Sequence, residues 1–170
     1  KPAALVWVVA LDEGNPEKTA PHRDKLMTLS APFKENPSEV MKIQHRYAGV
    51  NWLKPEGDAF LTEYDWKKRW RTTYLLNVDD PAQATKKIFD LSSQDSYNDP
   101  GNPVSTTTMT GEQILLQDKD WIYLSGSGAS PKGDMPFLDK MDLKTMKKER
   151  LFQCREGSYE AFINFVGQSR

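Results

Sequence analysis

A serine- and glycine-rich stretch is the first candidate for catalysis. Residues 125–130 read Ser-Gly-Ser-Gly-Ala-Ser, and a serine between glycines can be a hydrolase nucleophile when it lies on a sharp strand-to-helix turn. Here Ser125, not a glycine, stands two residues before Ser127, and Pro131 and Pro136 exclude the helix that such a turn needs. The same missing helix excludes a phosphate-binding loop, which holds the anion at a helix N-terminus. The stretch therefore predicts a glycine-rich hairpin loop.

Oxygen ligands cluster a little earlier in the chain, at Asp95, Asn98 and Asp99. Calcium prefers several oxygen ligands, so the cluster could in principle hold that ion. The ligand spacing and the terminal glutamate of an EF-hand are missing, however, and Asp-Pro-Gly at 99–101 is a common turn sequence. The cluster predicts a turn rather than a metal site.

The residue types that bind zinc are scarce. His22 and His45 lie 23 residues apart, from position 22 to position 45, and Cys154 is the one cysteine of the chain. No ligand spacing joins these residues, and a single cysteine cannot form an internal disulfide. We expect both histidines to be loop or edge residues, and we expect no metal or other cofactor.

Basic and aromatic residues alternate at 66–71, which read Trp-Lys-Lys-Arg-Trp-Arg. Single-stranded nucleic acid is one partner for such a surface. A simpler interpretation is a strand in which Arg69 and Arg71 face one way and Trp70 the other, so that one face is core and one meets solvent or a partner. A third is recognition of an acidic group by the two guanidinium groups. Arg69 and Arg71 are therefore the candidate substrate-binding residues, and no catalytic residues are predicted.

Composition limits the function classes. The 170 residues carry 23 Lys and Arg against 24 Asp and Glu, a balance that argues against a dedicated nucleic-acid binder. The apolar run Ala3 to Leu11 is about half the roughly 20 residues that a membrane span needs. Aromatic residues make up 11% of the chain although its mean hydropathy is −0.69, which is typical of strands with one buried and one wet face. The abrupt apolar start, without a leader, reads like a cut inside a larger protein.

The periodicity is that of strands joined by turns. The predicted strands are Ala3–Leu11, Lys25–Leu29, Val40–Gln44, Tyr47–Leu53, Ala59–Tyr64, Arg69–Val78, 86–91, Val104–Met109, Gln113–Leu124 with an irregularity at 118–120, Phe137–Leu143 and Glu149–Gln153. Pro81–Lys87 and Gly157–Phe165 are short helix candidates. The pattern predicts an all-β fold.

Two segments of the chain repeat. Tyr74 to Asp79 resembles Phe137 to Asp142, and 87–89 resembles 150–152; both pairs are offset by 63 residues, from 74 to 137 and from 88 to 151. Repeats of this kind favour propeller blades, each of four antiparallel up-and-down strands. A generic antiparallel meander with similar turns is the alternative.

Blade connectivity makes a prediction about the loops. The second-to-third and fourth-to-first strand loops must lie on one face, so the three loops of unusual composition, at 65–68, 92–103 and 125–136, share that face. The opposite loops are ordinary tight turns, so the first face is expected to meet a partner. Trp7, Trp52, Trp70 and Trp121 are expected to pack between blades, with Trp66 exposed at a loop tip.

Several motifs resemble the glutamyl endopeptidase branch of the prolyl oligopeptidase family of serine peptidases. They cover essentially the whole chain: Val6–Trp7 through 10–12, Pro21 and 23–24, Arg46–Trp52, Ser92–Gly101, and Gly126–Pro131 with Gly133 and 136–139. The resemblance implies a piece of the N-terminal β-propeller that precedes an α/β-hydrolase domain with a Ser, Asp and His triad. In that family the propeller caps the active site and restricts access to peptides and unfolded segments.

The resemblance also divides the chain. It implies a partial β-propeller with a partial blade at 1–46, blades at 47–103 and 104–160, and the start of another blade at 161–170, with Ala161–Val166 as its first strand. That makes about two full blades and most of a third. The hydrolase domain is expected to be absent, so no catalytic residue is carried over and this chain alone should not be an enzyme.

The expected partners follow from the same resemblance. They are the C-terminal hydrolase domain of the parent chain and a peptide substrate. The charge balance and the short apolar run add the expectation of no nucleic acid and no membrane, and exposed blade edges could pair isolated chains. For a bacterial parent we expect a periplasmic or secreted location. The alternative function is a self-contained all-β module that binds carbohydrate or protein, which a stop codon in the parent reading frame would favour.

Overall fold

The structure is a computed structural model that describes residues 3–54 and 57–167. All of its regular elements are strands. Their bounds are β1 Ala4–Ala10, β2 Asp24–Ser30, β3 Ser38–Ile43, β4 Arg46–Trp52, β5 Asp58–Asp65, β6 Trp70–Asn77, β7 Lys86–Ser92, β8 Asn102–Pro103, β9 Ser105–Thr107, β10 Gln113–Leu115, β11 Gln117–Asp118, β12 Trp121–Gly126, β13 Phe137–Asp142 and β14 Lys148–Gln153. The described part contains no helix long and apolar enough to cross a membrane.

The chain divides into two compact units, Lys1–Ser92 and Ser93–Arg170. The first unit contains two antiparallel sheets of consecutive strands, in the order β1-β2-β3 and β4-β5-β6-β7. A buried cluster joins them: Leu26 and Ile43 from one sheet pack with Leu61 and Leu76 from the other. Apolar residues at alternate positions supply this core because successive side chains of a strand point to opposite faces.

In the second unit, β12 and β14 flank β13. The other edge of β12 pairs with the two short strands β11 and β8, at different positions along β12. Strands β9 and β10 form a separate two-stranded sheet. The sheet β4 to β7 is an up-and-down antiparallel sheet, and β8, β12, β13 and β14 form a second antiparallel set of four, to which β11 adds a short fifth strand. The architecture is a partial β-propeller.

Two strand predictions in the second unit were wrong in detail. The strand predicted at Val104–Met109 is shorter, Ser105–Thr107 (β9), because Met109 already lies in the turn of the β9–β10 hairpin. Gln113–Leu124 is three strands, because β11 and β12 are joined by a tight reversal at Lys119, whose φ is 54°. A residue with positive φ inside a strand ends its pairing, which explains the irregularity expected at 118–120.

The helix candidates were also wrong. Residues 81–87 form a turn that leads into β7, and 157–165 contain no helix. The strand expected at Ala161–Val166 is not formed; this stretch is irregular, and Phe165 packs edge-on against Tyr123 with ring centroids 4.9 Å apart. Phe162 and Phe165 make aromatic contacts in an irregular segment rather than in a ladder.

Candidate functional site

Three connections meet at one end of the first unit. They are the β1–β2 loop, the β3–β4 turn and the β5–β6 turn, and they enclose a cavity of about 310 Å³. Its lining residues are Pro16, Ala20, Pro21, Arg23, Gln44, His45, Arg46, Tyr64, Asp65, Trp66 and Lys67. In the predicted blades, the β1–β2 and β5–β6 connections join second to third strands, and the β3–β4 turn joins a fourth strand to the first strand of the next blade. Within this unit these two kinds of loop share one end, as the connectivity predicts. We call this end the loop surface.

A buried ion-pair cluster fixes the base of the loop surface. The carboxylate of Asp12, which is fully buried, accepts hydrogen bonds from Arg23 Nη1 at 2.6 Å and from Arg46 Nη2 at 2.6 and 2.7 Å. Arg46 Nη1 also donates to Asp24 Oδ1 at 2.6 Å, and Asp24 Oδ2 accepts from the backbone N–H of Tyr47 at 2.8 Å. These bonds tie the β1–β2 loop to the start of β4, so the two sheets are held together here by charge as well as by apolar packing.

The charges of this cluster are mutually stabilised. Burial acts to raise the pKa of Asp12, but hydrogen bonds from Arg46, Arg23 and the backbone of Gly14 outweigh it and hold the pKa below its ordinary value. The hydrogen bond to Asp12 is the largest cause that raises the pKa of Arg46. Asp12 and Arg46 are therefore held in their charged forms near neutral pH, as a buried charge needs partners to be tolerated.

A second cavity, of about 380 Å³, opens beside the first and shares Gln44, His45 and Asp65 with it. Its remaining lining residues carry charges of both signs and hydroxyl groups: Glu63, Lys68, Trp70, Thr72, Tyr74, Lys87 and Asp90. These side chains come from β5, β6 and β7 and from the turn between β5 and β6. They lie on the face that, nearer the middle of the strands, forms the apolar core.

Glu63 organises the inner part of the second cavity. It is 3% exposed, and its two carboxylate oxygens accept from the backbone N–H of His45 at 2.8 Å and from the hydroxyl of Tyr74 at 2.9 Å. Burial, followed by the hydrogen bond to Glu63, raises the pKa of Tyr74 above its ordinary value. Tyr74 therefore remains a protonated donor.

Asp90 organises the outer part of the same cavity. It accepts from Lys87 Nζ at 2.7 Å, from Trp70 Nε1 at 2.6 Å and from the Thr72 hydroxyl at 3.0 Å. The hydrogen bond from Lys87, and then the one from Trp70, hold the pKa of Asp90 below its ordinary value. Trp70 is 39% exposed, so the expectation that it packs between blades was wrong: its indole lies at the cavity rim.

Asp65 links the two cavities. Burial acts to raise its pKa, but backbone hydrogen bonds from Lys68 and Lys67 outweigh it and lower the pKa. His45 Nε2 lies 3.8 Å from Asp65 Oδ2. His45 is thus a turn residue, and His22 an exposed loop residue, as predicted. The loop surface offers fixed donors and acceptors of both signs, an arrangement suited to binding polar groups.

The structure places the two candidate arginines differently. Strand β6 begins at Trp70, so Arg69 lies in the β5–β6 turn with φ of 53°, and its guanidinium carbon is 6.0 Å from the ring centre of Trp66. Arg71 lies in β6, opposite Tyr64 of β5. The interpretation that both arginines belong to one face of one strand was therefore wrong for Arg69. Trp66 is 67% exposed, which confirms the prediction of a ring at a loop tip.

The serine- and glycine-rich stretch of the second unit is a hairpin loop, as predicted. Ser130 and Gly133 exchange two backbone hydrogen bonds, at 3.0 and 3.1 Å. Gly128 has φ of 62°, and a Cβ there would lie 2.1 Å from the carbonyl oxygen of Met135. Gly101, in the 92–103 loop, lies against the backbone of Ser125. Within this unit, those two loops therefore adjoin.

The oxygen cluster at 95–99 forms a local turn. Asp95 accepts from the backbone N–H of Asn98 at 3.2 Å and from its side-chain amide at 2.7 Å, while Asp99 accepts from the N–H of Gly101 at 2.9 Å. Within residues 3–54 and 57–167, no group of three or more His, Cys, Asp or Glu could hold a metal ion.

Sequence reasoning missed Glu63. The signal was present: Ala59, Leu61 and Glu63 share one face of β5, so an acidic residue continues an apolar series at spacing two. An acidic residue in phase with a core face predicts a buried carboxylate with donors around it.

The chain is similar along nearly its whole length to two plant proteins. Over 171 residues it is 36% identical to a probable chloroplastic glutamyl endopeptidase of Oryza sativa subsp. japonica; the aligned region covers 96% of this chain and 18% of the relative. It is 32% identical over 169 residues to the Arabidopsis thaliana protein of the same name, covering 94% of this chain and 17% of the relative. The chain thus spans less than a fifth of the length of both relatives. No protein-family model matches it.

Solved structures give weaker likenesses. The chain overlaps TolB from Acinetobacter baumannii with a TM-score of 0.45 at 13% identity, covering 88% of this chain and 30% of TolB. It overlaps an oligogalacturonate lyase in complex with manganese with a TM-score of 0.41 at 13% identity, covering 92% of this chain and 35% of the lyase. The family assignment rests on the plant sequences and the fold on the strand order described above: the chain is a β-propeller segment of a glutamyl endopeptidase-like protein.

Proposed function

We propose that this chain is the non-catalytic propeller segment of a serine peptidase of the prolyl oligopeptidase family, in which it restricts substrate access and docks the α/β-hydrolase domain. The match along 96% of the chain to a protein named probable glutamyl endopeptidase carries the proposal. The full-length parent would hydrolyse peptides, and this segment would contribute no catalytic residue. The partners are then the hydrolase domain of the same parent chain and the peptide substrate.

The loop surface of the first unit supports a contact role. Its base is fixed by the Asp12 ion pairs, and Glu63 and Asp90 hold the neighbouring side chains through hydrogen bonds. A peptide backbone presents N–H donors and C=O acceptors together, so a surface with both kinds of group, held in place beforehand, suits it. We assign the loop surface to the side that faces the substrate and the hydrolase domain.

Arg69 and Arg71 remain our candidates for contact with an acidic substrate side chain. Arg69 lies beside the exposed ring of Trp66 in the β5–β6 turn, and Arg71 follows two residues later in β6. Arginine binds carboxylates through a planar fork of donors. An acidic side chain that reaches the loop surface would therefore meet two cationic groups close together in sequence.

Kinetics of the full-length protein test this assignment. Replacing both residues, Arg69→Ala with Arg71→Ala, should raise KM for peptides with glutamate at the cleavage site by about tenfold and leave kcat unchanged, because only binding is weakened. The control variant, Lys34→Ala with Lys86→Ala, removes two positive charges from the β2–β3 connection and from the first residue of β7, at the opposite end of the sheets. Equal KM values for wild type and the arginine variant would remove both arginines from the site.

A self-contained binding module is the second candidate, and the exposed indoles of Trp66 and Trp70 favour it. They are 67% and 39% exposed, and flat aromatic surfaces can bind sugars or proteins. Calorimetric titration of the isolated chain with a panel of oligosaccharides tests it. Binding of an oligosaccharide that is lost in Trp66→Ala would support the binding module. If no oligosaccharide of the panel binds, a carbohydrate-binding module is rejected.

A further inference from the structure

Strand β1 has the sequence of an interior strand but lies at an edge. Residues 4–10 read Ala-Leu-Val-Trp-Val-Val-Ala, without a polar side chain. A continuous apolar run is typical of a strand that is covered on both faces. Among the described residues, however, β1 pairs only with β2, none of its own residues is buried, and Leu5 is 52% exposed.

The β-bulges identify which strands correspond between sheets. In three sheets, the last strand contains one bulged residue that has no partner on the strand before it. These residues are Val40 in β3, Ile88 in β7 and Leu151 in β14. Bulges are specific features of a fold and mark equivalent positions in repeated units. Strands β2, β6 and β13 are therefore equivalent, and so are the strands that precede them in each sheet, β1, β5 and β12.

The equivalents of β1 are both paired on their second edge. Strand β5 pairs with β4, and β12 pairs with β8. Their burial differs accordingly, since Ala59, Phe60 and Leu61 in β5 are at most 1% exposed. In the described part of the chain, no strand occupies this place beside β1.

The free edge of β1 presents a regular set of backbone groups. The N–H of Leu11 and the C=O of Ala3 both bond to the β2 side. In an antiparallel pair the N–H and C=O of one residue point to the same side and alternate along the strand. The groups of Val6 and Val8 therefore point away from β2, toward the free edge.

We propose that this edge is completed by an extended strand of about seven residues, antiparallel to β1, from polypeptide of the parent protein outside residues 1–170. The inference rests on the proposed function, since it requires a longer parent; the chain spans only 18% of the rice relative. The strand should carry apolar residues at alternate positions, as β4 does with Val50 and Trp52, which pack on the core. It would cover the free edge of β1 and remove an exposed template for aggregation.

Residue-resolved hydrogen exchange tests the proposal. The amides of Val6 and Val8 should exchange at least about 100-fold more slowly in the full-length parent than in the isolated chain at monomeric concentration, because pairing must open before exchange. The amides of Trp7 and Val9, which face β2, are the internal control and should be protected in both. Equal exchange of Val6 and Val8 in both proteins would overturn the proposal, as would protection in the parent only at concentrations where it dimerises.

A proline variant gives a second readout. Val6→Pro removes one free-edge donor, which an edge strand tolerates and an interior strand does not; Val6→Ala controls for the lost side chain. Relative to Val6→Ala, the proline variant should lower the Tm of the parent but change that of the isolated chain little, and equal shifts in both would contradict an added strand. If the Val6 amide is protected in a parent that lacks peptidase activity, the proposed function is rejected and the added strand is supported. If the parent is an active peptidase and its Val6 amide is unprotected, the added strand is rejected and the proposed function stands.

Discussion

Glu63 of β5 accepts a hydrogen bond from the hydroxyl of Tyr74 of β6 at 2.9 Å, one pleat away from the apolar core. The other oxygen of Glu63 accepts the backbone N–H of His45 at 2.8 Å, at the β3–β4 turn. One buried carboxylate thus connects the second sheet of the first unit to the turn that leaves the first sheet, at the point where the core becomes the loop surface. The hydrogen bonds that His45 and Tyr74 donate to Glu63 hold the inner wall of the second cavity in place.

Removing the Tyr74 hydroxyl should therefore destabilise the protein. Tyr74→Phe leaves one oxygen of buried Glu63 without its donor, and such a loss costs about 1–3 kcal/mol. Urea unfolding of the isolated chain measures the change. Tyr97→Phe, at a tyrosine that is 66% exposed, is the control and should be neutral. Equal stability of the two variants would show that the Glu63–Tyr74 bond contributes nothing.

The core between the first two sheets is expected to be sensitive to truncation. Leu61 is 0% exposed and belongs to the cluster that joins the sheets, so Leu61→Ala should cost about 2–5 kcal/mol. Leu5→Ala, at a residue that is 52% exposed in the isolated chain, should cost much less. Chemical denaturation compares the two, and similar losses would contradict the packing described for Leu61.

The Asp12 cluster predicts loss of stability in acid. Because the folded-state pKa of Asp12 is below its ordinary value of 3.8, the unfolded state takes up the proton first as pH falls. The stabilisation is complete above pH 3.8 and is lost as the pH falls below this value toward the lower folded-state pKa. Asp12→Asn should therefore be less stable than wild type at pH 7, with a difference that narrows near pH 3. Urea unfolding at a series of pH values measures the difference in free energy of unfolding between Asp12→Asn and wild type. A difference that stays constant between pH 7 and pH 3 would contradict the stabilisation by ionised Asp12.

The hairpin loop of the second unit should tolerate alanine at one glycine and not at another. Gly128→Ala places a Cβ against the carbonyl of Met135, whereas Gly133→Ala, also at positive φ, meets nothing within 4 Å. Both variants carry the strain of a left-handed backbone, about 1–2 kcal/mol, but only the first adds a clash. Thermal unfolding should show the larger loss for Gly128→Ala, and the reverse order would exclude the close approach of Gly128 and Met135.

The internal repeat shows how much of the fold the sequence could predict. The offset of 63 residues is correct for the outer strands, since Ile88 and Leu151 are both the skipped residues. In β6 and β13, the strands that pair with these outer strands, the register shifts after Thr73 and after Leu138. The offset there is 65 residues, from 73 to 138. Side chains alternate with a period of two, so a displacement of two residues keeps every side chain on its face. The apolar pattern predicts the strands and their faces and cannot distinguish the two offsets.

The site was less predictable than the strands. The first-unit strands follow from apolar alternation, but Arg69 lies outside β6 because the β5–β6 turn takes a residue at positive φ, with Asp65 accepting from the turn's backbone N–H groups. Such a turn is decided by local hydrogen bonds rather than by hydrophobic period. The association of Asp12 with Arg46 joins residues 34 positions apart, and only the packing of two sheets brings them together.

The most direct test compares the isolated 170-residue chain with its full-length parent, using a glutamate-containing peptide and a serine-directed covalent probe. The parent should cleave the peptide and be labelled by the probe, while the isolated chain should do neither, although it folds. Cleavage by the isolated chain, continuing when the probe fails to label it, would contradict the claim that this propeller segment is non-catalytic.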